Sequence, residues 1–417
     1  PPVYPVCEGE SSVPVQPARI ERDLNAFAAF GRSGPTAVTR LALTPADRAA
    51  RAHLIDLCRA EGLQVRIDRF GNTAAVLGEW DRPALLLGSH LDSVPNGGRF
   101  DGVVGVVAAL EVVRALKEDG QLPPVPVGIV NFTSEESARW GRATLGSKAL
   151  AGVIPEDELM AYADRDGVTF GQALQDNAGY DLVDGPQDFG PIAAFLEMHI
   201  EQGPELLFAG KPVGVVSHIA APSRYKVFVK GTAAHSGATL MGRRKDGLVA
   251  AAELVLGLER LAKEVGDAVV ATATVFSVKP VSINVIPGEV ELGIDIRGIE
   301  KESIGRVTGG FRQLVAEVSA RRGVPIEIET LSEEAPVTLD PGMVEHLVRA
   351  CERKGIPYLR TVSRAGHDAM YVARIAPTAM LFVPSKDGLS HNPAEFTSLE
   401  EIALGTEVLA EAVRSFR

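Results

Sequence analysis

The stretch Gly88-Ser-His-Leu-Asp-Ser follows the apolar run Ala84-Leu-Leu-Leu and sets His90 two residues before Asp92. In an extended segment side chains two apart share a face, so the Asp92 carboxylate could take the free N–H of a metal-binding His90 and fix its tautomer. A strand-end histidine bonded to its neighbour, without metal, is the commoner outcome for such a stretch alone. Asp101, in Gly97-Gly-Arg-Phe-Asp-Gly, stands where a helix N-cap belongs; a carboxylate there could also bridge two cations. Glu135 and Glu136 are adjacent like charges, tolerable in solvent or beside a cation. Beside a cation, one could ligate the metal while the other acts as general base toward water. His199 lies in Glu197-Met-His-Ile-Glu-Gln-Gly, where Glu197, His199 and Glu201 share a face, and His391 lies in Lys386-Asp-Gly-Leu-Ser-His-Asn-Pro.

Each residue alone is weak evidence, since core or loop histidines outnumber ligands, but the constellation has a pattern. His90, Glu136, His199 and His391 each lie just beyond a candidate strand, while Asp101 opens a helix. Open α/β sheets gather ligands at the carboxyl ends of their strands. Imidazole and carboxylate without thiolate suit Zn or Mn, with Co or Ni also compatible, and a shared carboxylate suits a pair of ions. Such a pair polarises a carbonyl and activates water. His235, in Gly231-Thr-Ala-Ala-His-Ser-Gly, sits in a small-residue loop and could stabilise a developing oxyanion, or could be an exposed turn histidine. Asn284 with Arg297 would make a carboxylate clamp; a salt bridge of Arg297 with Asp295 or Glu300 is the alternative. His53 and His346 read as surface or packing residues, and His218 and His367 stay undecided.

The elements that must position these residues follow from periodicity. Amphipathic helical patterns cover about 18–31 and 45–60, the second with Thr44 as N-cap and Pro45 at the first helical position. Apolar runs at Ala84-Leu-Leu-Leu, Val125-Pro-Val-Gly-Ile-Val, Ala193-Ala-Phe-Leu and Thr378-Ala-Met-Leu-Phe-Val alternate with helical stretches such as 103–118. That order predicts an α/β sheet buried on both faces. Between about 222 and 335, runs such as Arg224-Tyr-Lys-Val-Phe-Val-Lys alternate polar and apolar, as strands with one solvated face do. Two helical patterns, about 245–264 and 301–321, sit among four strand patterns there and predict a βαββαβ insert of the ferredoxin-like kind. The expected division is 1–221 and 336–417 for the larger domain and 222–335 for the insert.

Composition narrows the function. The 417 residues carry Lys+Arg 42 against Asp+Glu 54, a net charge of −12, with no basic block. Nucleic acid and anionic membrane surfaces are therefore poor partners. No stretch reaches the roughly 20 apolar residues of a spanning helix. Residues 1–17 read as an irregular arm without the pattern of a signal peptide. The chain opens on Pro rather than Met, so its start is expected upstream or to have been cut. Cys7, Cys58 and Cys351 are odd in number and widely spaced, which predicts neither disulfides nor a thiolate metal site and suits the cytoplasm.

Taken in order, the motifs resemble the M20 metallopeptidase superfamily and, within it, the amidase, hydantoinase and carbamoylase branch. The stretches that carry the resemblance are Gly-Ser-His-Leu-Asp-Ser at 88–93, Gly-Gly-Arg-Phe-Asp-Gly at 97–102, Glu-Glu at 135–136 and His-Ile-Glu-Gln-Gly at 199–203. Ala-His-Ser-Gly-Ala-Thr at 234–239, Ile-Asn-Val-Ile-Pro-Gly at 283–288, Ala-Gly-His-Asp-Ala at 365–369 and Ser-His-Asn-Pro-Ala-Glu at 390–395 complete the set. His199 is the most telling, because aminoacylase and dipeptidase relatives usually carry a carboxylate there.

The resemblance implies a mixed-sheet catalytic domain and an inserted domain that dimerises and closes over substrate. It implies that His90, Asp101 and His199 hold one divalent ion and Asp101, Glu136 and His391 a second. Glu135 would be the general base and Asp92 the support of His90. Gln202, Asn284 and Arg297 would hold a ureido-acid substrate, and His235 would reach into the neighbouring subunit's site. The implied reaction is hydrolysis of an N-carbamoyl-L-amino acid, with allantoate or another ureido acid as alternative and acyl-amino acids or dipeptides as weaker ones. A non-catalytic binding protein on this fold is the alternative of a different class, disfavoured by the complete ligand set with Glu135. Three departures bear on substrate choice: Arg364, a bulky cation near His367; Trp140 between Arg139 and Arg142; and Leu240-Met-Gly after Ala-Thr.

Overall fold

The computed structural model describes residues 15–417. The arm expected at 1–17 falls outside them as far as residue 14, as does Cys7, and Pro17 already opens the helix Pro17–Ala29. Two compact units divide the chain: one ends at Ser217 and resumes at Leu339–Thr361 and His367–Arg417, the other is His218–Thr338 with Val362–Gly366.

Four parallel strands form the heart of the first unit, in the order Val127–Phe132, Ala84–His90, Ile192–Ile200, Thr378–Val383. They are Val, Ile, Leu and Phe-rich and buried almost throughout, as strands covered on both faces must be. Antiparallel neighbours flank them, Thr73–Leu77 on one side and Val213–Ile219 on the other, so the sheet is mixed. Parallel pairing sends all four carboxyl ends to one edge. Two strands run further than their apolar runs suggested, so His90 and His199 lie within strand ends rather than beyond them.

Helix Val103–Asp119 packs on this sheet with most of its residues buried. Its N-cap is Gly102, at φ 67°, with no side-chain cap. The sequence placed Asp101 in that role, and the structure corrects it. A Cβ at Gly102 would sit 2.4 Å from a His90 ring atom, so the helix entry is built around the imidazole and the Asp101 side chain is released for other work. Thr44 does cap Pro45–Ala60, accepting the N–H of Asp47.

The second unit is a four-stranded antiparallel sheet in the order Ile326–Glu333, Ala221–Lys230, Glu289–Gly298, Val269–Lys279, with helices Gly247–Val265 and Lys301–Arg322. Along Glu289–Gly298 every second residue is buried, and Leu292, Ile294 and Ile296 join Leu254, Leu258 and Phe311 in its core. Each such side chain contributes about 1.5–3 kcal/mol. The chain order is βαββαβ, with a two-residue ladder, Ala234–His235 against Val285–Ile286, added. Val362–Gly366, placed by sequence with the larger domain, clusters here because Arg364 donates to the Asp267 carbonyl at 2.8 Å and its own carbonyl accepts from Arg297.

Candidate metal centre

Strand ends bring five of the expected residues together. The ligand atoms of His90, Asp101 and His199 lie within 4.8 Å of one another, as do those of Asp101, Glu136 and His391. Asp101 belongs to both groups through different oxygens. Its Oδ1 is 3.2 Å from His199 Nε2 and 3.5 Å from His90 Nε2, while its Oδ2 is 3.6 Å from His391 Nε2. Glu136 Oε1 lies 3.2 Å from His391 Nε2.

Backbone contacts fix how the imidazoles face. His90 Nδ1 donates to the Asp92 carbonyl at 3.0 Å and His199 Nδ1 to the Ile200 carbonyl at 2.9 Å. Each ring thus turns its Nε2 toward Asp101. His90 Nε2 is buried and has no hydrogen-bond partner. Buried polar atoms are almost always satisfied, so an orphaned imidazole nitrogen beside carboxylates fits a divalent cation. The donor set, imidazole and carboxylate without sulfur, fits as well.

Asp92 differs from its expected contact. Its carboxylate does not take the His90 N–H; it accepts the backbone N–H groups of Glu135 at 3.2 Å and Glu136 at 3.0 Å. The strand ends at His90, so the period-two alternation that would align the two side chains stops there. Asp92 therefore aims the Glu-Glu pair, and the buried Ser134 before them bends the chain with φ 56°. Gln202 and His391 also hold left-handed backbone, at 60° and 55°. Such conformations cost of order 1 kcal/mol or more and concentrate at functional sites. Glu135 Oε2 stands 3.8 Å from His90 Nε2, beside the ligand groups and outside them. Gln202 Nε2 donates to Asp101 Oδ2 at 2.8 Å.

The charges answer one another. Burial alone would lower the His90 pKa, but Asp101, Glu135 and Asp92 hold it well above the usual value. Asp101 resists the upward push of burial, because His199 and His90 hold it well below the carboxylate range. Burial raises Glu135 strongly, with Glu136 and Asp368 adding to it against His90. Burial lifts Asp92 to about 6, and the bond to Glu136 lifts His391 to about 9.

Within the second unit, the residues expected to bind substrate fall in two places. His235 and Asn284 meet at the small ladder: Val285 pairs with His235, and the Asn284 carbonyl accepts from Ser236 at 3.0 Å. Arg297 lies at the far end of Glu289–Gly298, eight residues on, or roughly 26 Å at 3.3 Å per residue. Its guanidinium donates to Asp295 at 3.0 Å, the strand-end salt bridge. The Asn–Arg clamp is therefore not formed.

Two departures from the family pattern have structural work to do. Arg364 turns its guanidinium to the Asp267 carbonyl, at 2.8 Å. Trp140 packs on Phe170 in a satellite core under the Arg139 guanidinium. His53 packs between Phe27 and Phe30, His346 bonds the Ala412 carbonyl, and buried His367 lies 4.6 Å from the His199 ring. His218 pairs with Thr338 at a strand end. Sequence reasoning missed Ser390 and Glu395, which lie inside a motif it had marked; Ser390 Oγ donates to Asp101 Oδ2 at 2.6 Å.

A buried cluster that leaves an imidazole nitrogen unpartnered and stations a glutamate at its margin is what a metal-dependent hydrolase requires. The chain matches the model of Peptidase family M20/M25/M40 over residues 86–415, and it belongs to that family, within the amidase branch of hydantoinases and carbamoylases. It is 36% identical to the N-carbamoyl-L-amino-acid amidohydrolase of Paenarthrobacter aurescens, covering 96% of this chain and 98% of that one. Identity to the ureidoglycolate hydrolase of Oryza sativa is also 36%, covering 97% and 86%. The solved hydantoinase/carbamoylase-family amidase of Burkholderia multivorans superposes with a TM-score of 0.91 at 36% identity, covering 97% and 98%. The family and the His/Asp/Glu cluster together point to a divalent metal site. Among the described residues no helix is long and apolar enough to cross a membrane.

Proposed function

We propose that the chain is a binuclear amidohydrolase that cleaves the ureido C–N bond of an N-carbamoyl-L-amino acid. One water is consumed, and the amino acid, CO2 and ammonia are released. The observation that carries the reading is the Asp101 carboxylate shared between two ligand groups, with Glu135 beside both and belonging to neither. His90, Asp101 and His199 would hold one divalent ion and Asp101, Glu136 and His391 the other, with Zn or Mn favoured and Co or Ni compatible. Bound there, the ions would supply the Lewis acidity that a resonance-deactivated ureido carbonyl needs.

Glu135 takes a proton from the attacking water and passes it to the leaving nitrogen. Asp92 aims it by gripping its backbone N–H. Gln202, Asn284 and Arg297 bind the ureido acid, and His235 hydrogen-bonds the developing oxyanion. Because Arg297 stands at the far end of Glu289–Gly298 from the ladder that carries His235 and adjoins Asn284, the reading takes these two from a second copy of the chain, in a homodimer formed through the second unit. Leu256 on a helix of that unit, and Val275 and Phe276 on its edge strand, are exposed apolar residues suited to such a contact. The buried free thiols of Cys58 and Cys351 suit the cytoplasm.

Equal identity to a ureidoglycolate hydrolase favours a second reading, another ureido acid such as ureidoglycolate or allantoate in the same site. Metal-stripped protein reloaded with Mn or Zn tests both. Ammonia release is followed with N-carbamoyl-L- and D-amino acids, allantoate, ureidoglycolate and ureidopropionate, and amine release with N-acetyl amino acids. Metal-restored release from N-carbamoyl-L-amino acids is expected; silence on every ureido acid from protein carrying both ions would overturn the proposal.

A further inference from the structure

We propose that Glu395 is a positioning residue of the metal centre: it ties the loop carrying Asp101 to the loop carrying His391 and so makes the second ion site possible. The inference rests on the binuclear reading above. Its starting point is an inequality among the ligands. His90 and His199 lie in paired strands, buried and held by the sheet. His391 has no such support: it follows Val383 by eight residues, adopts a left-handed φ, and keeps 48% of its side chain exposed.

Glu395, four residues on, provides the missing tie. It is 5% exposed, and its Oε1 accepts the backbone N–H of Phe100 at 3.0 Å and of Asp101 at 3.1 Å. Its Oε2 lies 3.2 Å from Ser390 Oγ, the residue before His391. A serine hydroxyl has one proton to give, and the shorter 2.6 Å contact sends it to Asp101 Oδ2, while Gln202 donates to the same hydroxyl at 3.2 Å. Backbone and side chain of Asp101 are thus both fastened to the segment 390–395. Gly98 makes the room: a Cβ there would meet Glu395 Oε1 at 2.1 Å, and its backbone is not left-handed, so space rather than conformation requires glycine.

The consequence is asymmetric. The strand-held group, His90, Asp101 and His199, should survive loss of Glu395, whereas the group that needs His391 beside Asp101 should not. The test is calorimetric titration of Mn(II) into metal-stripped full-length wild type, Glu395→Ala, Glu395→Gln and Gly98→Ala, with melting curves for each. Wild type should bind two ions. Glu395→Ala should weaken the second by about tenfold to a hundredfold, the usual scale for residues that orient metal ligands, and leave the first little changed. Glu395→Gln keeps an oxygen that accepts the two N–H groups and gains an amide that can donate to Ser390, so it should bind like wild type. Gly98→Ala should reproduce the Glu395→Ala defect with the carboxylate still present, and it carries the test if Glu395→Ala does not fold.

Fewer than two ions on wild type would overturn the binuclear reading and this inference with it. Two ions on wild type with undiminished second-site affinity in Glu395→Ala and Gly98→Ala would overturn this inference alone. Equal losses at both sites, or a Glu395→Gln as damaged as Glu395→Ala, would also overturn it, by making general loosening or charge the cause.

Discussion

The metal centre and the second unit treat their expected residues in opposite ways. In the first, five side chains from five separate segments bring their ligand atoms into two groups that share Asp101. In the second, His235 and Asn284 adjoin across a short ladder while Arg297 sits at the far end of a ten-residue strand. The difference is topological. Parallel strands send every carboxyl end to one edge, so residues that follow them converge whatever their separation in sequence. Antiparallel strands send successive ends to opposite edges, so residues that follow them disperse. A substrate site drawn from the second unit needs another source of convergence, which the proposed second copy of the chain would provide.

The largest test of this contrast falls on Glu135, the functional group the convergence leaves outside the ligand groups. Glu135→Gln should retain both ions by elemental analysis and lose turnover by about 10²–10⁴-fold, the usual contribution of a general base. Near-wild-type turnover would reassign the base. Gly102→Ala comes next, since its Cβ would press into the His90 ring at 2.4 Å. It should weaken the first ion on metal titration, by about tenfold or more on the scale for disturbed ligand orientation.

Dispersion is tested by mixing. A Glu135→Gln chain and a His235→Ala chain, each inactive as a homodimer, should recover partial activity on subunit exchange. In the mixed dimer one site pairs an intact Glu135 with an intact His235. No recovery, with exchange confirmed, would sink the shared site and return His235 to an exposed turn.

The smallest expected effect is on stability. Metal-free protein holds Asp92 near 6 and His391 near 9, both above their unfolded values. Native protein then binds more protons than unfolded chain, so stability should fall as pH rises from about 4 through 9. The Asp92 part is lost up to about 6 and the His391 part up to about 9. Melting temperatures across that range should show the decline for stripped protein and a shallower one after reloading with Mn.

Legibility in the sequence follows the same division. Strand runs, the buried helix at Val103–Asp119 and the order of the insert were all readable, because burial on two faces and burial on one write different periodicities. The five residues of the two groups stood out because four lie at or past such a run and Asp101 just before the helix Val103–Asp119. Contacts made by backbone atoms were not. That His90 bonds the Asp92 carbonyl, and that the Asp92 carboxylate grips two amides instead, depends on where the strand stops within one residue. Gly102 displaced Asp101 as helix cap for a steric reason that no local pattern encodes. Glu395 was hidden differently, since its partners Phe100 and Asp101 lie almost three hundred residues away. The bond of Arg364 to the Asp267 carbonyl was not legible either, because the two residues lie 97 positions apart.

The central claim is that one carboxylate, Asp101, joins two ions in a single reactive centre. Anomalous diffraction from crystals of the Mn-loaded protein measures that directly. Two peaks about 3.5–4 Å apart are expected, one bounded by His90 and His199, the other by Glu136 and His391, with the Asp101 carboxylate between them. A single peak, or two peaks that do not share Asp101, would contradict it.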